Sequence, residues 1–347
     1  MDYTKQLINN VEIEDKKQSV CTTFEQTDSS LSSLTTYKKV VDISNKNKIY
    51  GLSESDYLEV KEKIRKQNCF LEYNYIYDKI SGTQIPLKDL VISANHNPNR
   101  YHALIQNRIN TLSSEAKENG LEAIFMTLTL PSEFHKMKMD KKTKALIENP
   151  KYNHVTPKEA VKHLTKMFSR LRHDRSLKEL SKDERIYFRV NEPHKNGTPH
   201  THILLFVPKS SIDRVVTAFK RLFDTKANDI QTDIKNATSY IMKYINKTLP
   251  LSKKENLTKK EKYLNAWYSK HRIIRFNCSK TLAPLSLYRL LYDKFNLKEL
   301  TTLVKKKSLA IFVLQTNRNK IMEISFGDEL IYQRSENYTL KNGLLDF

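Results

Sequence analysis

Two histidines and a carboxylate stand at a spacing that can hold a metal ion. The stretch Glu192-Pro193-His194-Lys195-Asn196-Gly197-Thr198-Pro199-His200-Thr201-His202 runs straight into Ile203-Leu204-Leu205-Phe206-Val207. Strand side chains alternate, so His200 and His202 project from one face and Thr201 from the other. Asn196-Gly197 is a turn signal, and a turn centred there lays Glu192 opposite His200 on that same face. Two imidazoles and a carboxylate can then share a divalent ion while leaving open positions for substrate oxygens, as metal catalysis requires. A lone His-x-His on a strand is often structural. The matching carboxylate and the basic character of the chain favour a ligand role. His194, in the turn, is a spare ligand at most and is expected to face solvent.

A second group of reactive side chains lies in Thr238-Ser239-Tyr240-Ile241-Met242-Lys243-Tyr244-Ile245-Asn246-Lys247. At about 100° per residue, Tyr240, Lys243, Tyr244 and Lys247 share one helical arc, while Ile241, Met242 and Ile245 fall on another that would pack on a core. One face thus offers two phenols and two ammonium groups. A phenol is a poor nucleophile at its ordinary pKa of about 10. Nearby lysines and a metal-polarised phosphate are what would make attack feasible. The same pattern also suits an amphipathic helix with half-buried tyrosines, and it is the histidine site that favours chemistry.

These groups need a scaffold. Residues 186–192 and 200–207 read as a hairpin. Ala123 to Leu130 is apolar and ends at Pro131, as a central strand would. A helix is expected from Ser53 to about Lys66, and the aromatic run Phe70–Tyr77 is left open as a strand or a partner surface. Tyr101 to about Lys117 has helical spacing and stops at Gly120. Further helices are expected from Thr156-Pro157 past Arg172, from about Ser211 to Phe223 and from about Ile234 to Lys247. The order predicts an α+β fold: an antiparallel central sheet with helices packed on it. Alternation in Leu309–Val313 and Ile321–Phe326 predicts a small β-rich C-terminal appendage. The Ser/Thr-rich piece from Thr22 to Thr36 reads as flexible. The expected organisation is an N-terminal region over 1–96, a central domain over 97–295 and the appendage over 296–347.

Composition narrows the partners. The 347 residues carry a formal net charge of +21 and are 39% hydrophobic, enough for a real core in a chain suited to meeting a polyanion. Cys21, Cys69 and Cys278 lie far apart and form neither a disulfide framework nor a cysteine zinc site. No signal peptide is apparent, and no run approaches the roughly 18 apolar residues of a membrane span. A cytoplasmic protein without a membrane partner is expected. None of the six glycines begins a P-loop of the usual form.

Together these residues resemble a known family. His200-Thr201-His202 followed by apolar residues is similar to the HUH (His-hydrophobic-His) single-strand endonucleases, with Thr201 less hydrophobic than the usual middle residue. Phe125-Met126-Thr127-Leu128-Thr129-Leu130-Pro131-Ser132, with His135 after it, resembles the first motif of the bacteriophage replication gene A proteins. Arg189 to His200 resembles their second and Tyr240 to Lys247 their paired-tyrosine motif. His271-Arg272-Ile273-Ile274-Arg275-Phe276, then Leu287-Tyr288-Arg289, is similar to the stretch that follows. The likeness covers about Asn97 to Leu291. It implies an HUH nuclease domain of ferredoxin- or RRM-like form and initiation of rolling-circle replication. Glu192, His200 and His202 would then hold Mg²⁺ or Mn²⁺ against the scissile phosphate. Tyr240 or Tyr244 would attack to leave a 5′-phosphotyrosine bond and a free 3′-hydroxyl, and the other tyrosine would make the second cut. Lys243 and Lys247 would stabilise phosphate charge or steer DNA. The implied partners are single-stranded origin DNA and the helicase and polymerase of a bacterial or archaeal host cell.

Two other readings keep part of this pattern. A two-tyrosine transposase would use the same chemistry on element ends. A relaxase is disfavoured, since its tyrosine typically precedes the histidine motif. A DNA-binding protein with structural histidines would bind without metal and cut nothing.

Overall fold

Strands with buried side chains on both faces need cover on both sides, and that requirement shapes the part of the molecule around the histidines. The structure, a computed structural model, describes residues 12–13 and 48–343, apart from 141, 143–145, 224–225, 251–255, 316–319 and 335–336. The Thr22–Thr36 piece expected to be flexible lies outside the described residues. The chain divides into two compact units. Among the described residues, one is drawn from 48–60 and 108–280, the other from 12–13, 61–107 and 281–343.

The first unit is built on five strands: β1 (Leu121–Thr129), β2 (Ile186–Pro193), β3 (Pro199–Pro208), β4 (Asp229–Gln231) and β5 (Phe276–Cys278). They pair antiparallel throughout in the order β5-β2-β3-β1-β4. With the helices packed on this sheet, the fold is α+β, as the order of elements predicts. Four helices matter for the site: α1 (Pro157–His173), α2 (Ile212–Leu222), α3 (Ala237–Thr248) and α4 (Lys259–His271). Their starts are written in the sequence. Thr156 and Glu159 form a capping box ahead of α1, with Pro157 in the first turn, and Thr258 and Glu261 repeat the arrangement ahead of α4. The Asn236 side chain caps α3 by accepting from the Ser239 N–H. That cap fixes the start of the helix at Ala237, three residues later than the apolar pattern from Ile234 predicts.

One sheet face carries the core. Ile124, Met126 and Leu128 of β1 and Ile203, Leu205 and Val207 of β3 pack against Leu164, Phe168 and Leu171 of α1 and Val215, Ala218 and Phe219 of α2. The alternate residues therefore point the other way: Phe125, Thr127 and Thr129 on β1, and His200 and His202 on β3. Helix α3 covers this second face, with Ile241 and Ile245 fully buried.

Elsewhere, the helix expected from Ser53 runs Glu54–Glu72 and the one expected from Tyr101 runs Pro98–Glu118. Gly120 follows the latter with a φ of 65°, a left-handed turn that favours glycine. The aromatic run left open as strand or surface resolves into a strand, Asn74–Asp78. It pairs antiparallel with Gln84–Pro86 on one side and Tyr338–Asn342 on the other. The C-terminal residues carry the expected strands at Leu309–Leu314 and Lys320–Phe326. Glu329–Gln333 completes a three-stranded sheet, and Leu297–Lys305 is a helix. Ile324 of that sheet is buried with Leu287, Leu297 and Leu300.

Candidate active site

The hairpin places its three candidate ligands together. Glu192 pairs with His200 in the β2–β3 ladder and Val190 with His202, the register that a turn centred on Asn196 requires. His200 Nε2 and His202 Nε2 are 3.1 Å apart, and each lies 3.9 Å from Glu192 Oε2. A triangle with those sides has a circumradius of about 2.1 Å, which matches the bond length of a divalent ion to imidazole nitrogen and carboxylate oxygen. Glu192 is 1% exposed, and its other oxygen, Oε1, is buried without a hydrogen-bond partner. A buried carboxylate oxygen left unmatched is costly. The donor set and this orphaned atom both suit a cation.

The surroundings keep the imidazoles neutral. Burial pushes His200 down to about 2, helped by repulsion from His194, His202 and Lys247. Burial lowers His202 to about 3, with Lys247 and His194 adding to the effect. Neutral imidazoles present lone pairs, the form a metal takes up. Thr127, directly opposite His202 across the β1–β3 ladder, has its hydroxyl 3.1 Å from His202 Nδ1. That contact suits a tautomer with the proton on Nδ1 and the Nε2 lone pair aimed at the cluster. Burial raises the Glu192 carboxyl above its ordinary range, while the Lys247 ammonium, donating to Oε2 at 2.6 Å, pulls the other way.

Helix α3 brings both tyrosines to this face. The Tyr244 ring lies 4.0 Å from the His202 ring, centre to centre, and 5.4 Å from Phe125. Tyr240 meets Phe125 edge-on at 4.5 Å and stands 5.9 Å from Tyr244, so Phe125 is a shared platform under both phenols. The Tyr240 hydroxyl donates to Gln231 Oε1 at 3.2 Å, and Gln231 in turn donates to Asp229 at 2.7 Å. Burial raises the Tyr244 phenol above its ordinary value, reinforced by its hydrogen bond with Tyr240 and by the charges of Glu192 and Asp229. Of the two lysines on the same arc, Lys247 reaches the cluster through Glu192. Lys243 is exposed and is not brought into it.

Residues 32–251 match the model of the bacteriophage replication gene A protein family. The chain belongs to that family. It is 31% identical over 218 residues to a replication protein of Haemophilus phage HP1, covering 57% of this chain and 26% of that protein. It is 29% identical over 229 residues to the replication gene A protein of Escherichia phage 186, covering 60% and 31%. A probable replication endonuclease from a prophage-like region of Salmonella typhi is 27% identical over 242 residues, covering 62% and 29%. The matched stretch thus spans only about a quarter to a third of the length of these relatives. No solved structure gives a significant match.

Several residues that support the site in this gene A family chain are not apparent from motif spacing. His194 is the clearest departure: expected in solvent, it stacks on the His200 ring at 4.1 Å, and burial first, then His135, lowers it to about 4. The reason is the loop itself. The His194 N–H donates to Thr198 O and the Gly197 N–H to His194 O, which folds the turn back over the histidines. Asn196 holds it from the other side, donating to His135 Nδ1 and Met137 O, both at 3.1 Å. The mid-motif Thr201 also has a use: fully buried on the core-side face, its hydroxyl donates to Asn191 Oδ1 at 2.7 Å. Asn191 donates onward to Ile274 O at 2.8 Å, and its own carbonyl accepts from Tyr268. These buried bonds fix the hairpin register that sets Glu192 against His200.

Gly197 meets two clamps. Trp267 Nε1 donates to its carbonyl at 3.0 Å, and a Cβ added to it would stand 2.3 Å from Tyr50 O. Its φ is +89°, and Tyr50 and Gly51 are themselves left-handed, at 53° and 75°. The charges of Lys247 and Glu192 both act on the Tyr50 phenol, placing it within electrostatic reach of the cluster. Gly197→Ala is expected to lower unfolding stability by at least about 2 kcal/mol, since a left-handed alanine alone costs roughly 1–2 kcal/mol. Urea denaturation would read this directly, and an unchanged midpoint would show that the turn yields.

Proposed function

We propose that this chain initiates rolling-circle replication by nicking and rejoining single-stranded origin DNA through a 5′-phosphotyrosine intermediate, in the manner of HUH endonucleases. The observation that carries the reading is the Tyr244 ring packed against His202 of the Glu192–His200–His202 cluster. A nucleophile and a candidate metal centre share one sheet face. We place this chemistry within residues 97–295.

Glu192, His200 and His202 would hold Mg²⁺ or Mn²⁺, and such an ion supplies Lewis-acid polarisation of the scissile phosphate. Tyr240 or Tyr244 supplies the oxygen that bonds to phosphorus. The bond from phosphorus to the 3′ oxygen of the preceding nucleotide breaks, the phenolic proton is released, and the departing oxygen takes up a proton to become the 3′-hydroxyl that primes synthesis. Phe125 holds both rings on one platform, so the second tyrosine is in place for a second cut that lets the strand circularise. Lys247 contributes positive charge beside Glu192, and Lys243 steers the DNA backbone. Host helicase and polymerase would supply unwinding and synthesis.

The deciding experiment incubates the full chain with labelled single-stranded origin fragments and Mn²⁺, then maps the residue left attached to DNA. An adduct at Tyr240 or Tyr244 is expected, and an adduct elsewhere, or none, rejects the reading. Thr127→Val should weaken Mn²⁺ binding about 10- to 100-fold, the usual cost of losing a partner that orients a ligating imidazole. Titration calorimetry measures this without any cleavage step.

A further inference from the structure

We infer that the cleft between the end of β1 and helix α1 is a subsite for a base of the single-stranded DNA, with the flanking phosphates carried by a basic stripe along α1. The cleft has a volume of about 440 Å³, within the range of binding sites for small organic groups. Pro131, Phe134, Met167 and Phe223 give it largely apolar walls, and Phe134 and Phe223 provide two aromatic rings. Lys166, Arg170 and His163 stand at its rim, and among the described residues no carboxylate lines it. Aromatic surface beside cations is how proteins hold single strands without reading sequence, because every base offers a face to stack.

The rim cations belong to a longer series. Lys158, Lys162, Lys166 and Arg170 recur every four residues on α1 and are all exposed. They fall within an arc of about 120° and rise about 6 Å per step, comparable to the separation of successive phosphates on an extended single strand. The acidic residue in the first turn of α1, Glu159, is engaged by the Thr156 capping box. Four cations in a row on one helix face, whose one acid, Glu159, is already held by the capping box, suit a polyanion.

Position ties the cleft to the site already described. Thr129 lines the cleft and is also the residue directly opposite His200 in the β1–β3 ladder. Its N–H is held by Asn228 Oδ1 at 2.8 Å, and Asn228 lines the cleft as well. Directly opposed strand residues are separated by about 5 Å. The cleft opens on the α1 side of the sheet and the candidate ligands lie on the α3 side, so a strand would pass from one to the other around the end of β1 at Thr129.

The inference rests on the proposed nuclease reading, but its test does not require cleavage. The 347-residue chain carrying Lys166→Ala/Arg170→Ala would be titrated against a fluorescein-labelled oligothymidylate of about 20 nucleotides, with anisotropy followed over a range of salt. Lys178→Ala/Lys182→Ala, which removes two exposed lysines that do not line the cleft, serves as the control for lost net charge. The cleft variant is expected to lose at least about 10-fold in affinity, and its log–log salt slope should flatten by about 1.4, or 0.7 for each phosphate no longer neutralised. The control should change neither by as much. Met167→Trp, which fills the cleft without altering charge, should weaken binding and leave the slope unchanged. If the cleft and control variants match in affinity and slope, or if Met167→Trp binds as tightly as the parent, the subsite is wrong even where the parent forms its DNA adduct. If the parent forms no adduct while the variants behave as expected, the nuclease reading fails and the binding cleft stands.

Discussion

Glu192→Ala is expected to abolish DNA cleavage, by at least about 100-fold, while the protein stays folded. The floor of that estimate is the 10–100-fold loss seen when only an outer partner of a metal ligand is removed. Glu192 is placed closer than that: its Oε2 faces both histidine nitrogens at 3.9 Å, and its Oε1 has no protein partner. Removal leaves two neutral imidazoles and no negative charge to balance a divalent ion. The fold should tolerate the change because the partner left behind, Lys247, has a side chain 60% exposed and can be solvated without rearrangement. Burying a carboxylate is itself costly, so melting within about 4 °C of the parent is expected. Glu192→Gln separates charge from shape, since it retains the volume and loses the anion. It should bind Mn²⁺ as poorly as the alanine variant. Either variant cutting DNA at the parental rate, with parental Mn²⁺ affinity, would remove Glu192 from the metal assignment.

The parts of the site that were legible in the sequence are those set by local geometry. Strand alternation and one turn suffice to bring Glu192, His200 and His202 to one face. Helical periodicity suffices to put Tyr240 and Tyr244 on one side of α3 and Ile241 and Ile245 on the other. The packing of Tyr244 on His202 depends on how α3 lies across the sheet, which no spacing encodes. His194 shows why turn residues are harder to place: a histidine between Pro193 and Lys195 suggests solvent, yet the loop folds back and stacks it on His200. The clamp on Gly197 comes from Tyr50 and Trp267, roughly 150 and 70 residues away in the chain. Thr201 is instructive in the other direction. As the less hydrophobic residue of its motif it looked like a departure, whereas its hydroxyl completes a buried hydrogen bond that sets the hairpin register.

Tyr240→Phe/Tyr244→Phe is expected to eliminate the covalent DNA adduct completely while metal binding and single-strand binding persist. Phenylalanine keeps both rings, so Phe125 retains its edge-on and stacked neighbours and His202 keeps a ring packed at 4.0 Å. What disappears is the pair of phenolic oxygens, together with the hydrogen bond between Tyr240 and Tyr244 and the exposed one from Tyr240 to Gln231, which contributes little to stability. Each single variant retains one oxygen on the shared platform. Single variants should therefore still form an adduct at the remaining tyrosine but fail to release circular product, because the second cut has no nucleophile. Denaturing gel electrophoresis of the protein–DNA species, followed by peptide mapping, distinguishes these outcomes. An adduct formed by the double variant would mean that some other residue attacks. Tyr50 is then the first to examine, since its phenol already senses the charges of Lys247 and Glu192.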